Sequence, residues 1–235
     1  MREKKIQAVL FDMDGLMFDT EVLYMKAWKK AGEKLGIPID DRFLLPSRGM
    51  IRADSKKLFE ELYHPSIEYE SIIAIRQEFL EKEFEKGILC KKGLFPLLNY
   101  LKTEGYRIVL ATSTPRERAI RLLQKTKVES FFDDMVFGDM VEHGKPAPDI
   151  FIKAAGKIGI DPKHCLVLED SRNGIVAGKR AGCRVVMIPD LIPANREIME
   201  IIDAKLDDLE KVIIWLQEIN NEINTKDVVS SKEAK

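Results

Sequence analysis

The sequence predicts an α/β protein in which a parallel sheet, covered on both faces by helices, carries an all-helical insertion behind its first strand. Three observations predict it. Four short apolar runs each stop abruptly at a cluster of polar residues, as buried strands ending in loops do. Helical patterns lie between the later runs, and such alternation builds parallel sheets whose ligands bind beyond the carboxyl ends of the strands. From about residue 20 to about residue 88 the rhythm breaks, with several helix-like segments and no convincing strand.

The first run, Gln7 to Phe11, ends in Asp12-Met13-Asp14-Gly15. In the insertion, Tyr24, Trp28, Ala31 and Leu35 share one helical face, and Ile72, Ile75 and Phe79 repeat the spacing. Charge and glycine at Cys90-Lys91-Lys92-Gly93 mark the way out. A helix over Leu94 to Thr103 leads to the second strand, Arg107 to Ala111, which stops at Thr112-Ser113-Thr114. Helices over Arg116 to Lys125 and Asp149 to Ile158 precede the third strand, Cys165 to Leu168, which stops at Glu169-Asp170-Ser171. A helix over Gly174 to Ala181 and a strand over Arg184 to Ile188, ending at Pro189-Asp190, follow. The pattern from Asp208 to Ile219, with Val212, Ile213, Trp215 and Leu216, reads as a terminal helix packed on the sheet.

The 235 residues, 45% hydrophobic and 33% charged, support a sizeable core with a smaller companion unit. With 38 basic side chains against 39 acidic, no strong field recommends nucleic acid or an anionic membrane as partner. Cys90, Cys165 and Cys183 form no CxxC pair, so neither a disulfide framework nor a zinc site is expected. The aspartates in the first apolar run spoil a signal peptide, and the expected location is cytoplasmic. No long apolar stripe is left over, and a monomer is expected.

In an extended segment, positions two apart face one side, so Asp12 and Asp14 can address one small site, with Gly15 permitting a sharp turn. Two close carboxylates repel unless a cation lies between them or one is protonated; a solvated acidic turn is the plain alternative. Glu169-Asp170 offers further hard oxygen ligands of the kind magnesium prefers, although Asp170 or Ser171 also suits the N-cap of a helix beginning near Asn173. Thr112, Ser113 and Thr114 can hold phosphate oxygens with hydroxyls and turn amides, or cap the helix after Pro115. Lys145, fixed in Gly144-Lys145-Pro146, is either solvated or a charge balance for an anion beside the carboxylates. Two carboxylate clusters at ends that the fold gathers favour a cation site.

Asp12-Met13-Asp14-Gly15, Thr112, Lys145-Pro146 and Glu169-Asp170 stand in the order and rough spacing of the four haloacid dehalogenase motifs, and the sequence resembles that superfamily from Gln7 to about Pro189. Phe18-Asp19-Thr20-Glu21 and the segments 144–151 and 168–174 look like the branch that holds beta-phosphoglucomutase and many small sugar phosphatases. The resemblance implies a Rossmann-like core, residues 1–17 and 92–224, with a helical cap at 18–91; residues 225–235 are expected to be a disordered tail. It implies hydrolysis of a small phosphorylated metabolite, a sugar phosphate first. Asp12 is then the nucleophile that becomes an aspartyl-phosphate and Asp14 the general acid and base. Mg2+ is held by Asp12, the Asp14 carbonyl and Asp170 with Glu169 in support, and Thr112, Ser113 and Lys145 bind phosphate. Arg52, in the cap segment Arg48-Gly49-Met50-Ile51-Arg52, and Glu21, at the first cap helix, are the implied substrate contacts; each also reads as an ordinary residue of a helix start. Tyr24 stands where beta-phosphoglucomutases usually carry a histidine, which favours phosphatase over phosphomutase. His64, His143 and His164 read as surface residues. A non-catalytic phosphate-binding or regulatory module is the alternative of another class, opposed by the intact motif set. An interaction scaffold has no supporting feature.

Overall fold

The computed structural model describes residues 6–63, 68–191 and 195–220. Strands β1 (Ala8–Phe11), β2 (Arg107–Thr112), β3 (Asp134–Phe137), β4 (Cys165–Glu169), β5 (Arg184–Met187) and β6 (Ala204–Lys205) form one parallel sheet in the order β3-β2-β1-β4-β5-β6. The register pairs Phe11 with both Leu110 and Leu168, so β1, β2 and β4 end at one level. That level brings Asp12, Thr112 and Glu169 together from distant parts of the chain.

Strand alternation gives the sheet two buried faces. Val9, Phe11, Ile108, Leu110, Leu166 and Leu168 face helices α5 (Leu94–Thr103) and α6 (Arg116–Thr126) and the terminal helix at 211–220, which contributes Val212 and Leu216. Ala8, Leu10, Val109, Ala111, Val167 and Val185 face α7 (Asp149–Lys157), α8 (Arg172–Arg180) and α9 (Arg196–Ile201). Both faces being dry explains why these strands read as unbroken apolar runs.

The segment between β1 and α5 is helical: α1 (Glu21–Leu35), α2 (Asp41–Leu44), α3 (Arg52–Leu62) and α4 (Tyr69–Glu85). It has its own apolar cluster around Trp28, Phe43, Phe59, Tyr69 and Ile72, with Trp28 and Phe43 edge to face at 4.7 Å. The chain enters and leaves this segment side by side. Phe18 bridges Cys90 antiparallel, Asp19 N donates to Leu89 O at 2.9 Å, and Lys91 N donates to Met17 O at 2.8 Å.

Several expectations are corrected. Strands β3 and β6 escape the apolar-run criterion because β3 has four residues with a half-buried start and β6 has two at the sheet edge. Leu35 is 39% exposed, since α1 ends there and Gly36 turns the chain into the left-handed region. In α4 the inward face is Ile72, Ile73, Arg76 and Leu80; Ile75 and Phe79 are only partly buried. The terminal helix starts later than Asp208, whose carboxylate accepts from Lys211 N at 3.2 Å. The expected tail at 225–235, the end of the core at 224 and His64 lie outside the described residues.

Candidate active site

Asp12 follows β1 directly and is buried. Lys145, 1% exposed, reaches it from the loop before α7, with Nζ 2.5 Å from Asp12 Oδ1 and 2.6 Å from Glu169 Oε1. The Phe151 ring lies 5.0 Å beneath the ammonium. Burial alone would lower the Lys145 pKa, but Asp12 and Glu169 outweigh it and hold the side chain charged.

Glu169 is fully engaged. Its second oxygen accepts from Asp170 N at 3.0 Å, Ser171 N at 3.0 Å and Ser171 Oγ at 2.9 Å. Ser171, not Asp170, caps α8, accepting from Gly174 N at 3.1 Å. The cap therefore leaves the Asp170 carboxylate for the site. Carboxylate oxygens of Asp12, Glu169 and Asp170 lie within 4.8 Å of one another, all buried. Burial first, and then the negative charge of Glu169, raise Asp12 and Asp170 well above the ordinary carboxylate range, against the opposing pull of Lys145 on Asp12 and of Arg48 on Asp170. Hard oxygens so crowded suit a small divalent cation, which would relieve the repulsion.

Asp14 points away from this cluster into three hydroxyls. Oδ1 accepts from Thr20 Oγ1 at 2.9 Å and Tyr24 Oη at 2.7 Å, and Oδ2 accepts from Thr114 Oγ1 at 2.6 Å. The polar tripeptide after β2 does not cap α6, whose N-cap is Pro115 without a side-chain bond. Thr112 Oγ1 instead accepts from Thr114 N at 3.1 Å, and Ser113 Oγ donates to Gly49 O at 2.6 Å.

The helical segment closes the site from above. Arg48 donates to Glu21 Oε2 and to Asp170 Oδ2, each at 2.7 Å, and Asn173 Nδ2 donates to Arg48 O at 2.9 Å and Pro46 O at 3.1 Å. Burial pushes the Glu21 carboxyl up to about 7 although Arg48 opposes it. A cavity of about 90 Å³ remains, lined among others by Asp12, Asp14, Tyr24, Arg76, Thr112, Arg118 and Asp170.

All the expected motif residues thus meet at one place, and Glu21 joins them. Arg52 does not line this cavity: half exposed and paired with Glu70, it borders a neighbouring cavity of about 100 Å³. Arg48, Arg76 and Arg118 were not singled out from sequence, and Thr114 was expected to hold phosphate or cap a helix, not to donate to Asp14. Arg76 had a signal, a cation on the apolar face of a helix; Arg118, one helical turn beyond Thr114, becomes meaningful only once that threonine is seen to face Asp14. His143 is exposed beside Asp149, and His164 is partly buried in a short turn before β4.

A profile of the haloacid dehalogenase-like hydrolase family matches residues 9–188, covering β1 through β5 and every residue of the site. The chain belongs to that family. As a haloacid dehalogenase-like hydrolase it is an enzyme of the phosphoric monoester hydrolase type. A phosphorylated carbohydrates phosphatase of Thermotoga maritima is 29% identical over 91% of this chain and 100% of its own. A beta-phosphoglucomutase of Bacillus subtilis is 32% identical over 75% of this chain and 80% of its own. The crystal structure of a beta-phosphoglucomutase from Clostridium difficile superposes with a TM-score of 0.78 at 25% identity, covering 94% of this chain and 99% of that one. Among the described residues no helix is long and apolar enough to cross a membrane.

Proposed function

We propose that this haloacid dehalogenase-like hydrolase is a magnesium-dependent phosphatase acting on a small phosphorylated metabolite of the sugar-phosphate class. The carrying observation is the pairing of two different carboxylates in one cavity. Asp12 lies among buried acids against Lys145, and Asp14 is held two residues away by three hydroxyls. Asp12 and Asp170, with the Asp14 main-chain carbonyl, would hold a magnesium ion; Glu169, whose oxygens already accept four bonds, orients Lys145 and the loop around Asp170. When bound, the ion supplies charge neutralisation that lets an anionic nucleophile approach an anionic ester.

In the first step an Asp12 oxygen forms a bond to phosphorus as the ester P–O bond breaks, and the departing alkoxide takes the proton carried by Asp14. In the second, water attacks the phosphorus of the Asp12 acyl-phosphate, giving its proton to Asp14 while the Asp12–phosphorus bond breaks and phosphate leaves. Lys145, Thr112 and Ser113 bind and orient phosphoryl oxygens. The cap, residues 18–91, excludes water and meets the leaving group, while the core, 1–17 and 92–224, performs the chemistry.

A phosphomutase is the second reading, favoured by the kinship with the Bacillus subtilis enzyme. Against it stands Tyr24, whose hydroxyl donates to Asp14 where phosphomutases of this branch usually carry a histidine. The test is phosphate release with magnesium across sugar phosphates, beside a coupled assay for beta-glucose 1-phosphate isomerisation. Release that falls at least about 10³-fold in Asp12→Asn supports the phosphatase; isomerisation outrunning release makes the chain a mutase, and equal release from both proteins overturns Asp12 as nucleophile.

A further inference from the structure

Two guanidinium groups in the cavity wall, one buried and one half-buried, lack a carboxylate partner among the described residues. Arg76 projects from α4, 9% exposed, with its Cζ 5.0 Å from the Tyr24 ring centre and 4.9 Å from that of Trp28. The Cζ of Arg118, from α6, stands 5.4 Å from the Tyr24 ring centre. Their Nε atoms are buried without a hydrogen-bond partner, and neither guanidinium is ion-paired to a carboxylate among the described residues. Arg118 Nη2 has only Thr114 Oγ1, at 3.0 Å. The nearby Asp14 carboxylate is taken by Thr20, Tyr24 and Thr114.

Arginines with a fixed structural duty in this protein look different. Arg48 meets Glu21 and Asp170, Arg52 meets Glu70, and Arg121 meets Glu81 and Glu117. Holding a buried and a half-buried cation side by side with no ion pair is costly, because the desolvation of Arg76 is not repaid and like charges repel. Two aromatic rings lie within cation–π reach of Arg76, but they leave its Nε without a hydrogen-bond acceptor in a residue that lines the cavity. Both arginines line the first cavity and also the adjoining one of about 100 Å³ that Arg52 borders, so they stand where a leaving group extending away from Asp12 must pass.

We infer that Arg76 and Arg118 bind a second anionic group, a carboxylate or another phosphate, carried on the alcohol part of the substrate. The substrate is then a phosphate ester of an acid, or a bisphosphate, in preference to a neutral sugar monophosphate. This rests on the phosphatase reading and narrows it.

The experiment compares kcat/KM within matched pairs: 2-phosphoglycolate against 2-hydroxyethyl phosphate for a carboxylate, and glucose 1,6-bisphosphate against beta-glucose 1-phosphate for a phosphate. Wild type is expected to favour the member that carries the second anionic group in at least one pair by about 100-fold, the scale of two charge-assisted hydrogen bonds. Which pair shows it identifies the anion. In Arg118→Gln and in Arg76→Gln that ratio falls at least about tenfold; a folding defect lowers both members together and leaves the ratio intact. Preference for the members without a second anionic group, or ratios unmoved in both variants, overturns the inference. If no substrate turns over, which defeats the phosphatase reading instead, calorimetry of 2-phosphoglycolate and glucose 1,6-bisphosphate binding to Asp12→Asn decides. Binding weakened at least about tenfold by adding Arg118→Gln sustains the subsite, and absent or unchanged binding removes it.

Discussion

Glu21 shows how burial turns an ordinary carboxyl into a pH-sensitive one. Its folded pKa near 7 exceeds the usual 4.5, so between those values the folded protein holds a proton that the unfolded chain releases. Stability therefore falls as pH rises through that window, by about 3 kcal/mol for this group. Denaturant titrations of metal-free protein at pH 5 and pH 8 should show the loss, and Glu21→Gln should flatten it; a slope equal to wild type would count against the shift. Asp170 obeys the same sign. Because its neighbours disfavour the ionised form on balance, Asp170→Asn is expected to raise the melting temperature of metal-free protein at pH 8. Magnesium at a hundred times its Kd is expected to stabilise wild type by about 2.7 kcal/mol, and the same change should abolish that gain. Thermal scans with EDTA and with magnesium check both halves.

At the scale of elements, the turn from β4 into α8 sets two effects of opposite sign against each other. Gly174 lies in the first turn of α8, where alanine normally gains up to about 1 kcal/mol over glycine in helix propensity. A Cβ there would lie 1.7 Å from Glu169 Oε1, and Glu169 is fixed by Lys145, two amides and Ser171. Overpacking of this kind costs about 1–3 kcal/mol, so Gly174→Ala is expected to destabilise and to reduce kcat at least about tenfold by displacing Lys145. A gain in melting temperature with kcat intact would refute the steric account. The central strands were legible because parallel strands buried on both faces are continuous apolar runs. β3 and β6 were not, because edge strands of four and two residues carry charge and too little apolar length. The hydroxyls after β2 were legible as a polar cluster but not in their duty, since whether a threonine caps a helix or bonds Asp14 depends on where another segment lies.

Across the whole molecule, the register of β1, β2 and β4 makes the floor of the site readable from the chain, because residues after three apolar runs must emerge together. Asp12, Thr112, Glu169 and Asp170 follow from that rule, and Lys145 stood out through its fixed Gly144-Lys145-Pro146 loop, with its solvated reading left open until the resemblance. The roof follows no such rule. Arg48, Arg76 and Arg118 reach the cavity from a loop, a cap helix and a core helix, and their convergence depends on how the helical segment sits on the sheet. The resemblance favoured Arg52, whose side chain instead pairs with Glu70. The place where the helical segment joins the sheet has a wider consequence. Its two connections run antiparallel at Phe18 and Cys90, like the stems of a hairpin, so everything between them hangs from one insertion point. Over evolutionary time such a cassette can be lengthened, reshaped or exchanged with little disturbance to the strands below, and the taste for a leaving group can diverge while the bond-breaking chemistry is inherited unchanged.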